Sequence, residues 1–300
     1  MKKLEDKVTL VTGSGRGFGR SIALAYSSEG AKVVAASRTR SELEDMANVA
    51  RSRGGEVLTI PTDLSKEDEI YSLRDMVLDT YGRLDVLVNN AATSLWKTVD
   101  EMTVQDWDRT IAVNLRAPFI LVKAFLETMK NQGRGSIINV TSRSAELGFV
   151  AEIGYCPSKF GIEGLTQCLA LELKPYNIAV NSLNVASTPG KRLKPTGLTL
   201  AEAKKRPKEL RERYADDDSM VEAFKDAWTF LALQDGFGVS GQRLGTKELA
   251  EYLRRNGWEA AVENWRGKLT KAVYVTYDWP KSVRYQTGPG GSETKELKFE

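Results

Sequence analysis

Six short apolar runs, separated by stretches of helical periodicity, constrain this chain more than any other feature of it. They are KVTLVT (7–12), KVVAAS (32–37), EVLTIPT (56–62), DVLVNN (85–90), SIINVT (136–141) and IAVNSL (178–183). Runs this short and this continuously apolar read as strands buried on both faces, which means a parallel sheet covered by helices. The stretches between them supply the helices. Ser41 and Glu44 have the spacing of a capping box, Ser65 opens a further helix, and Ile70, Leu73, Val77 and Tyr81 form a stripe along it. Gly30, Gly54, Gly55, Gly82 and Gly133 stand where helices should stop. Alternation sustained over about 180 residues predicts a doubly wound α/β fold with helices on both faces of the sheet and right-handed crossovers.

The pattern changes after residue 186. Residues 189–214 carry nine Lys or Arg against three Glu and read as a polar loop and helix inserted behind the sixth strand. Such a segment is either a solvated helical face or a basic lid that draws in an anionic substrate. WTFLALQDGFGVSGQRL (228–244) reads as a helix, a turn and a last strand. Beyond it lies an extension with Trp258, Trp265, Tyr274, Tyr277, Trp279 and Tyr285, expected to pack on its own domain or a neighbouring subunit, with only the last ten or so residues loose.

Composition removes whole classes of chemistry. The chain has no histidine, so a Ser-His-Asp hydrolase, a histidine base and a histidine-ligated zinc all lack their central residue. Acid or base work falls to Tyr, Lys, Asp or Glu. Two cysteines, Cys156 and Cys168, are too few for a disulfide framework or a cysteine metal site. With 43 Lys+Arg against 40 Asp+Glu, the basic excess is too small and too scattered for nucleic acid. No apolar run reaches the ~18 residues of a membrane span, and the start, MKKLEDKV, is no signal peptide, so a cytoplasmic protein without membrane contact is expected. The Asn139-Val140-Thr141 sequon lies in an expected buried strand and reads as chance.

The glycine cluster TGSGRGFG (12–19) follows the first strand and opens a helix. There Gly13 permits a tight turn, while Gly17 and Gly19 let the backbone approach a pyrophosphate and let the helix pack closely on the sheet. Taken alone, the cluster also fits a plain strand-to-helix turn. Residues further along the chain decide between the two. Asp63 comes after the third strand, Asn89-Asn90-Ala91-Ala92 after the fourth, Asn114 within VNLRAPF, Ser142 after the fifth, and Tyr155 four residues before Lys159. In this order and register the chain resembles the short-chain dehydrogenase/reductase family over roughly residues 5 to 245.

The resemblance implies a Rossmann-type domain over 1–245, with a substrate loop at about 184–225, followed by the 246–300 extension. It implies hydride transfer between nicotinamide and a small-molecule carbonyl or secondary alcohol. Tyr155 would be the acid in reduction and the base in oxidation, Lys159 would hold the nicotinamide ribose, and Ser142 would bond the substrate oxygen. Asn114 would organise a water linking Lys159 to solvent. Tyr155 and Lys159, four apart, share one helical face, and an ammonium beside a phenol is expected to lower its pKa from ~10. Cofactor contacts would come from Gly13, Ser14, Arg16, Gly17, Phe18, Gly19, Ser37, Arg38, Asp63, Leu64, Asn90, Ala91, Tyr155, Lys159 and Thr188.

Ser37 and Arg38 stand where NAD-binding members carry an acidic residue, which favours NADP over NAD. After the sixth strand the family's Pro-Gly is replaced: either Val185-Ala186 takes that place, or a two-residue deletion makes Thr188 the carboxamide contact. Two other activities fit less well: an NAD(P)-dependent epimerase or dehydratase, and a non-catalytic NADP(H)-binding sensor or scaffold. Substrate identity lies in the atypical 184–225 segment, with Arg143, Phe149 and Ile153 as candidate pocket residues. The family's habit of associating through the helices that here hold Asn114 and Tyr155 implies a homodimer or homotetramer.

Overall fold

The structure, a computed structural model, describes residues 2–192, 205, 208–271, 280–287 and 293–299. Its centre is a seven-stranded sheet in the order β3-β2-β1-β4-β5-β6-β7, every pair parallel. The strands are β1 Val8–Thr12, β2 Lys32–Ser37, β3 Glu56–Pro61, β4 Val86–Asn89, β5 Gly135–Thr141, β6 Ile178–Asn184 and β7 Arg243–Gly245. Between them run α1 Gly17–Ser28, α2 Arg40–Ser52, α3 Glu67–Tyr81, α4 Val104–Ile111, α5 Ala117–Gln132, α6 Tyr155–Leu173, α7 Asp217–Ala232 and α8 Thr246–Trp265.

Alternate residues of each strand feed two separate cores. Val11, Val33, Val88 and Val140 meet α1, α2, α7 and α8, whereas Leu10, Val34, Leu87 and Val180 meet α3, α5 and α6. That two-sided burial is why the strands read as continuous apolar runs. Chain order reverses between β1 and β4, and in an open parallel sheet the crevice at such a reversal, beyond the strands' carboxyl ends, is where ligands bind. The C-terminal ends there are Thr12, Ser37, Asn89, Thr141 and Asn184.

Local expectations differ in two places. No capping box forms at Ser41: Thr39 is the N-cap of α2, and the Glu44 carboxylate bonds Thr59 Oγ1 at 2.5 Å and Arg51 at 3.3 Å. The third helix starts at Glu67, because Ser65 is held by Asp63, whose Oδ1 accepts from its N–H and its hydroxyl. A capping box does form at Thr103 and Asp106 on α4. Gly82 and Gly133 end α3 and α5 in the left-handed conformation, as a C-terminal glycine should.

The extension packs partly on its own chain. Trp258 of α8 sets its ring edge-on to Phe230 of α7 at 5.4 Å and lies under the Lys3 ammonium at 4.3 Å; Trp265 packs on Tyr252 at 4.8 Å. Tyr274, Tyr277 and Trp279 lie outside the described residues. Near the end of the chain, β8 Ser282–Thr287 and β9 Glu293–Lys298 pair as an antiparallel hairpin. Arg284 faces Glu296 and Tyr285 faces Lys295 across it, the kind of cross-strand pairs that hold a solvated hairpin. Thr287, buried, donates to the Trp96 carbonyl at 3.2 Å and ties the hairpin to the loop after β4.

Candidate active site

The glycine loop is built by contacts as much as by glycine freedom. Gly13 (φ 65°) and Gly17 (φ 60°) are left-handed, and a Cβ on Gly17 would meet nothing within 4 Å, so that side of the loop is open. Gly19 serves packing instead: a Cβ there would lie 2.2 Å from Asn90 Nδ2. Asn90 Nδ2 in turn donates to the Thr12 carbonyl at 2.8 Å. The Thr12 hydroxyl donates to the Val88 carbonyl and accepts from the N–H groups of Asn90 (2.9 Å) and Ala91 (3.0 Å). Thr12 thus knots β1 to β4, a role that strand-end position alone did not single out.

Phe18 turns its ring into the core, 5.4 Å from Trp228, and offers the loop its backbone alone. The Arg16 side chain does not cap α1, so the dipole end and first-turn N–H groups of that helix face the loop. The Ser14 hydroxyl is buried with no hydrogen-bond partner among the described residues. An orphaned donor in a glycine cradle at a helix N-terminus suits a phosphate oxygen.

At the end of β2, the Ser37 hydroxyl is also buried without a partner among the described residues, and Arg38 is exposed. Asp63 is half-buried; burial, which raises its pKa, is outweighed by the Ser65 hydrogen bonds and the charges of Arg38 and Arg109, which hold the carboxyl below its usual range. Leu64 beside it is buried. One neighbour carried no local signal in the sequence. Glu42 of α2, also buried, packs where a Cβ on Gly15 would meet its own at 2.9 Å, and its carboxylate pairs with Arg16 at 3.3 Å.

On the other side of the reversal lie the four residues of the sequence motif. Ala112–Arg116 form a π-helical segment between α4 and α5, and buried Asn114 sits in it. Its amide pairs with the Thr93 backbone in both directions, at 2.8 and 2.9 Å, and donates to Ser158 Oγ at 3.0 Å. Pro118, four residues on, has no N–H to give the Asn114 carbonyl, which leaves that oxygen without its α-helical donor.

Ser142 follows β5 in an extended conformation; its hydroxyl donates to Ser144 Oγ at 3.2 Å and acts on the Tyr155 phenol to lower its pKa. Its carbonyl accepts from Arg243 Nη2 at 3.2 Å; Arg243 also pairs with Glu146 (2.7 Å) and Glu163 (3.1 Å), so β7 helps hold the serine. Buried Lys159 donates to the Val140 carbonyl at 2.8 Å, with its ammonium 5.6 Å from the Tyr155 ring centroid.

The expected lowering of the phenol pKa does not appear. Burial pushes Tyr155 up to about 12 against the Ser142 hydrogen bond, and burial pushes Lys159 down to about 8 against the charge of Glu163. Desolvation disfavours the charged form of each group, and at this separation the ammonium does not reverse it for the phenol. The site therefore holds a protonated phenol: an acid in place, with a buried amine that changes charge near neutrality.

Thr188 closes a turn beyond β6 by accepting from the Lys191 N–H at 3.0 Å. Ser187 beside it has a buried hydroxyl with no partner among the described residues, a polar group that sequence reasoning passed over. Arg143 lies 5.7 Å from the Phe149 ring. Ile153 instead lines an apolar hollow of about 270 Å³ with Val99, Met102, Thr103, Val104 and Trp107. Asn139 is fully buried in β5, which closes its sequon to modification. Both cysteines are free. Among the described residues there is no candidate metal cluster and no helix long and apolar enough to cross a membrane.

A seven-stranded parallel sheet with this loop and this Ser, Tyr and Lys grouping defines a nucleotide-binding oxidoreductase fold. The short chain dehydrogenase family profile matches residues 7–195, and the chain belongs to that family. It is 32% identical over 182 residues to the D-threitol dehydrogenase of Mycolicibacterium smegmatis, covering 61% of this chain and 70% of that protein. It is 35% identical over 181 residues to a 3-oxoacyl-[acyl-carrier-protein] reductase of Thermotoga maritima, covering 60% and 74%. Among solved structures, a metagenomic short-chain oxidoreductase in complex with NADP superposes with a TM-score of 0.66 at 30% identity, covering 80% of this chain and 98% of that one. Levodione reductase superposes with a TM-score of 0.67 at 24% identity, over 81% and 96%. The chain is a dehydrogenase/reductase of this family.

Proposed function

We propose that the chain catalyses reversible, NADP(H)-dependent interconversion of a small carbonyl compound and its secondary alcohol, with Tyr155 as the proton donor in reduction. The observation that carries this reading is the grouping of Tyr155, Ser142 and Lys159: a protonated phenol whose pKa responds to the Ser142 hydroxyl, with a buried ammonium 5.6 Å from its ring. When bound, the nicotinamide supplies or accepts the hydride. The chain's own residues do the rest. Ser142 holds the substrate oxygen by a hydrogen bond, Tyr155 gives that oxygen a proton, and buried Lys159 sits where its charge favours the phenolate left behind. The Asn114 carbonyl, denied its α-helical donor by Pro118, is suited to hold a water that leads from Lys159 toward solvent.

The choice of NADP(H) rests on the end of β2. Ser37 and Arg38 replace the carboxylate that would repel a 2′-phosphate, and the Ser37 hydroxyl, without a partner among the described residues, and the Arg38 guanidinium are donors suited to it. The NADP bound to the metagenomic neighbour supports the same choice. Asp63 and Leu64 would flank the adenine, and Ser14, Arg16 and Gly17 the phosphates.

The test is a cofactor absorbance assay with NADPH and NADH against ethyl acetoacetate, cyclohexanone, dihydroxyacetone and benzaldehyde. Turnover with NADPH in wild type, lowered by about two to four orders of magnitude in Tyr155→Phe with NADPH binding intact, is the expected result. Near-normal turnover in Tyr155→Phe would assign the proton to another acid.

A further inference from the structure

β7 ends the sheet, so its backbone groups that do not bond β6 need partners elsewhere. One residue of the extension takes two of them. Thr270, beyond α8, donates its N–H to the Gly241 carbonyl at 2.9 Å, and its hydroxyl accepts from the Arg243 N–H at 2.9 Å. The same hydroxyl donates to Gln242 Oε1 at 3.3 Å, and Gln242 Nε2 donates to the Lys268 carbonyl. Leu269 closes over the strand: a Cβ on Gly241 would lie 2.3 Å from its Cδ1. Residues 268–270 are thus fastened along residues 241–243.

From that strand the Arg243 guanidinium reaches Ser142. Its Nη2 donates to the Ser142 carbonyl at 3.2 Å and pairs with Glu146 at 2.7 Å, while its Nε pairs with Glu163 of α6 at 3.1 Å. Glu163 is fixed in turn by the Ser182 hydroxyl, which donates to its Oε2 at 2.7 Å. A planar fork held on several sides in this way is a rigid support. The Ser142 carbonyl also accepts the Ala145 N–H at 3.0 Å, so Arg243 grips the oxygen that closes the turn after β5.

We propose that Arg243 and Thr270 are positioning residues for Ser142: the extension sets β7, β7 sets the guanidinium, and the guanidinium sets the backbone that carries the serine hydroxyl. This rests on the reading of Ser142 as the group that holds the substrate oxygen. Neither residue acts on the reacting atoms itself. A serine bond that strengthens as charge develops on that oxygen acts in the transition state, so its placement governs kcat. The glycine loop and the end of β2 stand on the other side of β4 from β7, so NADPH affinity should not follow.

The test is a pair of double-mutant cycles. Thr270→Val removes the hydroxyl and keeps the shape and the N–H; Arg243→Met removes the guanidinium and keeps the length. With NADPH and whichever of the four carbonyl compounds turns over fastest, kcat should fall about three- to tenfold in Thr270→Val, the size of one neutral hydrogen bond. It should fall about ten- to hundredfold in Arg243→Met, as when a reacting geometry is displaced. NADPH dissociation constants should stay as in wild type, and Thr270→Ser, which keeps the hydroxyl, should restore kcat. Because Thr270 acts through Arg243, and Arg243 through Ser142, Thr270→Val should lose nothing further in Arg243→Met, nor Arg243→Met in Ser142→Ala. A readout that needs no turnover is amide hydrogen exchange, which should quicken over 142–147 in both single variants and stay unchanged over 8–12.

Losses that multiply in the double variants would overturn the positioning role, and so would a wild-type kcat in Thr270→Val, which decides the matter even if Arg243→Met does not fold. Near-normal kcat in Ser142→Ala would overturn the serine reading and the positioning with it. A loss of about 10²- to 10³-fold in Ser142→Ala, with Arg243→Met at the wild-type rate, would overturn the positioning alone.

Discussion

Arg16 and Glu42 form an ion pair at 3.3 Å across Gly15, beside the Ser37 hydroxyl, which has no hydrogen-bond partner among the described residues. A buried carboxylate thus stands in the region proposed for the 2′-phosphate of NADP(H), balanced by the guanidinium next to it. Glu42→Gln removes that negative charge and leaves the side-chain volume. Affinity for NADPH should rise about three- to tenfold, the size of a partly exposed charge interaction of about 1 kcal/mol, while NADH is little affected. Fluorescence titration of both cofactors measures it; equal changes for the two would place Glu42 away from the phosphate.

A second cofactor prediction comes from Arg38, whose planar fork of donors can meet a phosphate. A charge-assisted hydrogen bond of this type contributes roughly 1.5 to 3 kcal/mol, or about one to two decades in affinity. Replacing Ser37 with Asp and Arg38 with Gln should therefore invert the preference, since the carboxylate accepts from the free ribose hydroxyls of NADH and repels the phosphate of NADPH. Dissociation constants at one fixed salt concentration decide it. A wild type that binds NADH as tightly as NADPH would mean that Arg38 plays no part in the choice.

A physical division separates the features legible in the sequence from those hidden in it. Strand positions were readable because burial on both faces demands unbroken apolar runs, and Val8–Thr12 or Ile178–Asn184 can be little else. The grouping of Ser142, Tyr155 and Lys159 was readable because two of them are one helical turn apart and the third directly follows the fifth strand. Contacts between distant segments were not readable. Arg243 on Ser142, Glu42 on Arg16 and Thr287 on Trp96 are set by packing across 101, 26 and 191 residues, and no local spacing encodes them. The phenol pKa went the wrong way for the same reason: proximity of Lys159 is written in the sequence, whereas depth of burial is not.

Burial of Lys159 has a measurable cost to stability. Its pKa falls from 10.5 to about 8 on folding, so between those values the unfolded chain binds more protons than the folded one. Stability from this group therefore rises with pH across that window, and below about pH 8 the penalty is fully present, roughly 3 kcal/mol at 1.36 kcal/mol per unit. Lys159→Met should be more stable than wild type at pH 7, and the gap should shrink by pH 9.5. Urea unfolding of both proteins at the two values tests this, and the comparison cancels the titration of Cys156, which the two share. A gap that stays constant with pH would mean that the gain comes from packing alone.

The surfaces of α5 and α6 carry the last prediction. Phe119 on α5 is 49% exposed, and on α6 Phe160 is 37% and Leu171 62% exposed. Three large apolar side chains on two helices that also hold the Tyr155 and Asn114 region form a surface that water disfavours, and covering them with the same surface of a second copy is the arrangement with two-fold symmetry. Wild type should therefore scatter light as a multiple of 33.3 kDa at micromolar concentration. Phe119→Asp with Phe160→Asp puts a charge opposite its own copy in such an interface, where an unpaired buried charge costs several kcal/mol, so the double variant should dissociate to 33.3 kDa with its circular dichroism unchanged. A monomeric wild type would reject the association; a double variant that keeps its mass would move the interface elsewhere on the molecule.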